Sequence, residues 1–421
     1  MAEVSRFLIV DDSEANILFF QVALQQLGKT DVFTATDGNE ALTIFDRERI
    51  QFLITAWELR EISGTVLVQK LRSDRRKMYT PCLIYSKRMS EDDIKLTKEL
   101  GLDNVLGMPF DKASATEMIS KMIEAEENLS SLEIKVRKIE GFISENMPAE
   151  ALKLVDPSVT KKSPLRPRVK TALGEIWIMV GQHKKAEVIL NEALKDHPDY
   201  LPAKYMLARL FSLIDRHQDA ISLLEEASNQ SPHNIKTLLS LGSAYVDAND
   251  HNKAREIFQK VEDIDDNNQN LKDEQGKLAF KEGDIPLAAQ LLAETQNGDF
   301  LARQFNNMAI AQTVAGNYPK AIETYSNALR ILSDKAKVHL LTFNMGLAYR
   351  KSGDLENGFL NLCKSYLLEP SFEKAYNSLA KVAKEIKEKG GKPDHQLVQK
   401  VKATRKKYTD SHKESKVENV S

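Results

Sequence analysis

The side chains able to do chemistry in this chain are few and mostly charged. Two adjacent carboxylates, Asp11 and Asp12, close the apolar run Phe7-Leu8-Ile9-Val10. At such a position they can cap a following helix or face solvent at a strand end. Ser86 follows a second apolar run, Cys82 to Tyr85, and Glu58 follows a third. Further along, cations and aromatics recur at helical spacing: Arg168, Tyr205, Arg209, Lys236, Lys277, Arg303, Asn306, Phe343 and Arg350, against Glu175 and Asp273. Such a set suits charge-assisted hydrogen bonds to an acidic peptide or a chain-terminal carboxylate. The eight histidines are scattered, with no His-x-x-His or Cys/His cluster at metal spacing. A phosphate-binding glycine loop and a nucleophile elbow are missing, and the second half has no catalytic carboxylate pair. These groups point to recognition, and no enzyme is expected.

Composition agrees with that reading. The chain has 421 residues, 59 Lys+Arg against 61 Asp+Glu, a formal net charge of −2, and 42% apolar residues. That length implies two to four domains, each able to bury a core. The near-neutral balance argues against a nucleic-acid binder, so no nucleic-acid partner is expected. Cys82 and Cys363 lie far apart in apolar patterns and read as buried thiols of a reducing cytoplasm. The chain starts directly into a strand-like run, so no signal peptide is expected, and no apolar run is long enough for a membrane span. The expected localisation is cytoplasmic.

The elements that must position these groups change character near residue 125. Before it, the apolar runs at 7–10, 52–54, 82–85 and 105–107 alternate with helical periodicity, as in Ile17, Phe20, Leu24 and Leu27. Continuous apolar strands between amphipathic helices predict a doubly wound α/β domain with a parallel sheet. Ligands of such sheets bind beyond the carboxyl ends of the strands, where Asp11, Asp12, Ala56, Ser86 and Met108 all fall.

After about residue 132 the strand pattern stops and a repeat begins. Small anchors at Gly174, Ala208, Gly242, Gly276, Ala309 and Gly346 step by 34, 34, 34, 33 and 37. Each is followed twelve residues later by another small residue, and in four of them a bulky residue (Trp177, Phe211, Tyr245, Tyr349) sits three after the anchor. A fixed period of this length predicts an all-α solenoid of helix pairs crossing at the small residues. Its inner wall would be made by the first helix of each repeat, where the recurring cations lie.

The first half resembles the receiver domain of bacterial two-component response regulators, through the stretches LIVDDSEANILFF, FLITAWELREISG, LIYS and GMPF. The resemblance implies a five-stranded, flavodoxin-like parallel sheet and an acidic site built from Asp11 and Asp12, with Ser86 at the hydroxyl position. It also exposes departures. The phosphoacceptor position is Ala56, the lysine position is Met108 and the aromatic switch position is Val105. The site is therefore expected to be a pseudo-receiver. Asp11 and Asp12 could retain a weak magnesium site, with Glu58 nearby, and no other cofactor is expected. If Ala56 stood in place of an engineered-out aspartate, the chain would instead be a conventional phosphorylation switch. The second half resembles a tetratricopeptide-repeat (TPR) array with repeats opening at 167, 201, 235, 269, 302 and 339.

The expected organisation is thus a receiver-like domain at 1–125, a helical linker or degenerate first repeat at 126–166, a TPR solenoid at 167–388, and a Lys-rich capping helix with a disordered tail at 389–421. Met122, Ala125, Leu129, Leu132, Val136, Ile139 and Ile143 step as a heptad. They could form a dimerising coiled coil through residues 122–143, or pack inside the degenerate repeat, which is favoured because three heptads are near the minimum. Residues 381–421 hold 12 Lys+Arg against 6 Asp+Glu, so membrane or nucleic-acid association through the basic end stands as an alternative. The favoured expectation is a non-catalytic signalling adaptor or scaffold of a bacterial two-component pathway. A signalling protein would bind its receiver and an acidic peptide or chain terminus its repeats.

Overall fold

The computed structural model describes residues 3–102, 104–155, 166–294, 298–332 and 338–418. They divide into two compact units, one up to Leu271 and one from Lys272 onward.

The first unit opens with five parallel strands, β1 (Arg6–Val10), β2 (Asp31–Ala35), β3 (Phe52–Ala56), β4 (Cys82–Ser86) and β5 (Val105–Gly107), in the order β2-β1-β3-β4-β5. β1, β3 and β4 are interior strands covered on both faces, which is why their sequences are unbroken apolar runs. β2 lies at the edge and is half-exposed, so its sequence DVFTA is mixed. Alternate residues of β1 serve opposite faces. Phe7 and Ile9 pack with α1 (Glu14–Gln26) and α5 (Lys112–Glu127), while Leu8 and Val10 pack with α2 (Gly38–Arg47), α3 (Gly64–Ser73) and α4 (Glu91–Glu99). The helices start where side chains satisfy their open N–H groups. Asp37 accepts from Asn39 and Glu40, Ser90 forms a capping box with Asp93, and Asp111 accepts from Ser114.

The expected heptad does not form a coiled coil. α5 ends at Glu127, and α6 (Ser131–Ser144) begins afresh with Ser130 as its cap, so the stripe is cut in two. Met122 lies in the sheet core, while Val136, Ile139 and Ile143 are buried against Ala151, Val169, Leu173 and Ile176 of the same chain. Val136, Ile139 and Ile143 of the stripe are thus spent inside the chain, as in the favoured packing reading. α7 (Pro148–Lys153) follows; the rest of the expected linker, 156–165, lies outside the described residues.

The repeats are helix pairs. α8 (Arg166–Met179) with α9 (His183–Asp196), α10 (Leu201–Leu213) with α11 (His217–Gln230), and α12 (Ile235–Asp247) with α13 (His251–Ile264) belong to the first unit. α14 (Gln269–Glu282) begins there. The second unit holds α15 (Ile285–Glu294), α16 (Gly298–Val314), α17 (Tyr318–Ile331), α18 (Val338–Ser352), α19 (Leu355–Leu368), α20 (Glu373–Glu388) and α21 (His395–Glu418). The small anchors are fixed by close approach. A Cβ on Gly174 would stand 2.6 Å from Leu190, one on Gly242 2.2 Å from Phe258 and one on Gly276 2.5 Å from Leu292. Seven residues after each anchor the chain turns through a left-handed residue: Gly181, Asp215, Asn249, Gly283, Gly316 and Gly353. At the C-terminal end the last helix is longer than expected. The helix expected over Asp394 to Tyr408 is α21, and it continues beyond Tyr408 through Glu418, where a disordered end was expected.

Candidate functional site

The carboxyl edge of the sheet gathers the predicted residues, but in a closed arrangement. Asp11 is 3% exposed. Its Oδ1 accepts the Ser13 N–H at 2.8 Å, and its Oδ2 accepts Asn16 Nδ2 at 2.8 Å and the Tyr85 hydroxyl. Burial, reinforced by Asp11, holds the Tyr85 phenol well above its ordinary range, so it remains a donor. Tyr85 is itself locked in a ring cluster with Phe20 and Phe110, at centroid distances of 4.9 and 5.5 Å. Asp12 is held by Arg60, whose Nε lies 2.9 Å from its carboxylate.

Of the other edge residues, Ala56 and Met108 are apolar and Ser86 is occupied. Ala56 is buried and offers no side-chain oxygen; its carbonyl accepts the Thr55 hydroxyl at 3.1 Å. The Ser86 hydroxyl donates to the Arg88 carbonyl at 2.6 Å and accepts the Arg88 N–H at 3.2 Å, so it faces its own loop. Met108 packs on the apolar core, and Glu58 is exposed. Gly64 is required by this edge, since a Cβ there would stand 1.9 Å from the Ala56 carbonyl oxygen.

A magnesium ion at this edge would have to compete with donors: Asp11 accepts three hydrogen bonds, Arg60 pairs with Asp12, and Ala56 supplies no carboxylate. Among the described residues no three His, Cys, Asp or Glu side chains converge as a metal site.

The second part of the site lies within the first unit, where the helical repeats meet α3 and the segment after it. The Gln69 amide spans the turn before α12, accepting the Ile235 N–H at 2.8 Å and donating to the His233 carbonyl at 3.3 Å. Lys70 pairs at 2.5 Å with Asp265, a carboxylate buried in the next turn. Asn234 donates to Glu99 at 3.0 Å, and burial raises the Glu99 carboxyl above its ordinary range. Tyr79 stands beneath two guanidiniums, Arg137 at 4.7 Å and Arg168 at 5.0 Å from its ring centre, and donates to Glu140.

The predicted groove cations of this unit therefore have partners in their own chain. Arg168 binds Glu133 at 2.8 Å and Glu140 at 2.7 Å. Burial would raise the Glu133 carboxyl, but Arg168 and Arg137 outweigh it and hold it low. Arg209 and Arg75 share Glu175, at 3.4 and 3.1 Å. The Tyr205 hydroxyl bonds Thr237, and Lys236 lies 5.4 Å from the Tyr205 ring centre. In the second unit, Lys277 pairs with Glu274 at 2.5 Å, Asn306 accepts from Asn344 at 2.7 Å, and Arg350 Nε binds Glu385 at 3.1 Å. Phe343 packs on Phe372 at 5.0 Å as part of the core, Asp273 is buried, and Arg303 is exposed. Sequence reasoning missed Gln69, Lys70, Tyr79 and Glu99. Their one trace was a polar Gln-Lys pair beside an otherwise apolar helix face.

A doubly wound sheet with an acidic carboxyl edge, followed by helix pairs of fixed period, defines a receiver domain joined to a repeat array. Comparison with known proteins gives the same two parts. Residues 7–120 match the response regulator receiver domain and residues 215–278 the tetratricopeptide repeat. Chemotaxis protein CheY1 of Helicobacter pylori is 31% identical over 106 residues, which cover 86% of that protein and 25% of this chain. Chemotaxis protein CheY of Pseudomonas aeruginosa is 29% identical over 119 residues, covering 96% of that protein and 28% of this chain. The structure of the chemotaxis response regulator CheY4 of Vibrio cholerae is 24% identical, covering 98% of that chain and 28% of this one, with a TM-score of 0.27. The chain belongs to the response regulator receiver family, and tetratricopeptide repeats follow its receiver.

Proposed function

We propose that this protein is a non-catalytic signalling adaptor of a two-component pathway whose receiver does not respond to phosphoryl transfer. It acts on the cytoplasmic side, and its output is association with proteins through the receiver and the repeats. One observation carries the reading: Ala56 occupies the phosphoacceptor position beside an Asp11 that already accepts hydrogen bonds from Ser13, Asn16 and Tyr85. Met108 at the lysine position, apolar and packed on the core, supports it. An acidic partner in the repeats competes with Glu133, Glu140 and Glu175 for Arg168 and Arg209, whereas Arg303 is exposed.

The test treats the full chain with acetyl phosphate and Mg²⁺, reads intact mass, and compares the proteins it captures from its native cytoplasm before and after treatment. An unchanged mass and an unchanged set of captured proteins are expected. A labile gain of one phosphoryl group, with an altered set, overturns the reading.

A further inference from the structure

The second unit ends in two helices with a pronounced charge asymmetry. Over the two helices and their turn, residues 373–418, there are 13 Lys and Arg against 7 Asp and Glu, of which 11 and 4 fall within 372–409. Those four acids are already engaged: Glu373 with Arg405, Glu385 with Arg350, Glu388 with Lys384 at 3.6 Å, and Asp394 as the cap that accepts the Leu397 N–H at 3.0 Å. Nine further lysines, at 374, 381, 387, 389, 392, 400, 402, 406 and 407, are exposed.

Packing orients this charge outward. Leu379, Val382 and Ile386 of α20 and Leu397, Val398 and Val401 of α21 share one core. Arg405 seals the pair by lying 4.3 Å from the Tyr376 ring centre while binding Glu373. Lys374, Lys381 and Lys384 recur at helical spacing on α20, as do Lys402 and Lys406 on α21, away from those apolar positions.

We propose that this lysine-rich helix pair is a peripheral docking surface for an anionic lipid bilayer. Three features favour a membrane over a nucleic acid. The exposed cations are all lysines, hydrated point charges without the guanidinium fork that reads bases or grips phosphate in a bidentate manner. Arg405, the arginine of this segment, is already committed to Glu373 and Tyr376. The lysines spread over two packed helices and their connecting turn, whereas a major groove about 12 Å wide admits one helix. Leu379, Val382, Ile386 and Val401 are buried in the core of the pair and Leu397 and Val398 half-buried there, and among the described residues no helix is long and apolar enough to cross a membrane. Attachment is therefore electrostatic, reversible and salt-sensitive.

Co-sedimentation of the full chain with vesicles tests this. The vesicles are equal parts phosphatidylglycerol and phosphatidylcholine, with pure phosphatidylcholine as the neutral control. The triple variant K381E/K402E/K406E changes exposed residues, and its fold is checked by circular dichroism and thermal melting. The expected result is binding to the anionic vesicles alone, abolished near 1 M salt, where the Debye length is about 3 Å. The triple variant should bind about a hundredfold more weakly or worse. Equal affinity of the variant and the parent, absence of binding to anionic vesicles, or tighter binding to duplex DNA than to vesicles overturns the proposal.

Discussion

The side-chain amide of Gln69 mimics a strand edge for Ile235, accepting its N–H at 2.8 Å while donating to the carbonyl of His233 at 3.3 Å. Ile235 is the first residue of α12, so its N–H lies in the turn of helix that has no internal acceptor. A receiver side chain thus completes a repeat helix. Gln69→Ala is expected to leave that buried N–H without a partner, at a cost of about 1–3 kcal/mol. Urea unfolding should show the loss, and hydrogen exchange should show it concentrated at residues 233–237. Unchanged protection there would mean that the bridge contributes nothing.

Glu99 contributes to the same contact in the opposite sense. Its carboxyl is raised by burial, so its stabilising contribution is complete only below the ordinary carboxylate range and is lost as pH rises through the folded-state value. Glu99→Gln keeps an acceptor for Asn234 and removes the buried charge. The variant should be the more stable protein at neutral pH, and the two melting temperatures should converge as pH falls below about 4. A variant less stable than the parent at pH 7 would show that the charge itself is needed.

On the proposed reading, a carboxylate placed at position 56 should not create a switch. In Ala56→Asp the new side chain enters an edge where Asp11 is bound by three donors, Asp12 by Arg60, and the lysine position is Met108. Acetyl phosphate should leave the intact mass of this variant unchanged. A phosphoryl gain by the variant, with none by the parent, would show that a single substitution silenced the site.

The fold was legible because interior strands need unbroken apolar runs and helix crossings need small residues. β2 was less legible because it lies at an edge, where DVFTA needs no continuous apolar face. The left-handed turn residues Gly181, Asp215, Asn249, Gly283, Gly316 and Gly353 were a periodic signal in plain view, seven after each anchor. The acidic edge could be located, but not its closure. That closure depends on Tyr85 and Arg60 reaching Asp11 and Asp12 from other strands and loops. The cations of the inner wall could be placed on their helices, but Glu133, Glu140 and Glu175 become their partners only through tertiary contacts.

Tyr85→Phe probes the closed edge through pH. Because burial and Asp11 raise the Tyr85 phenol above its ordinary value, its contribution is present below about pH 10 and declines as the unfolded chain ionises above it. Removing the hydroxyl takes one of three donors from a buried carboxylate, at a cost of about 1–3 kcal/mol below that pH. The gap between parent and variant in urea unfolding should therefore narrow as pH rises past 10. A constant gap would place the loss in ring packing with Phe20 and Phe110 and not in the hydrogen bond.

Two glycines in equally regular helices should respond with opposite sign to the same substitution. A Cβ on Gly242 would stand 2.2 Å from the ring of Phe258, which is 1% exposed and has no room to retreat, so Gly242→Ala forces α12 and α13 apart. Overpacking of this kind costs about 1–3 kcal/mol. At Gly141, in α6, an added Cβ meets nothing within 4 Å, so Gly141→Ala only restricts the unfolded chain and improves helix propensity. Its expected gain is about 0.5–1 kcal/mol. Urea unfolding of the two variants checks both at once. A loss at each position would show that Gly141 has a role beyond space. Tolerance at each would show that the helix crossing is looser than the Gly242–Phe258 approach requires.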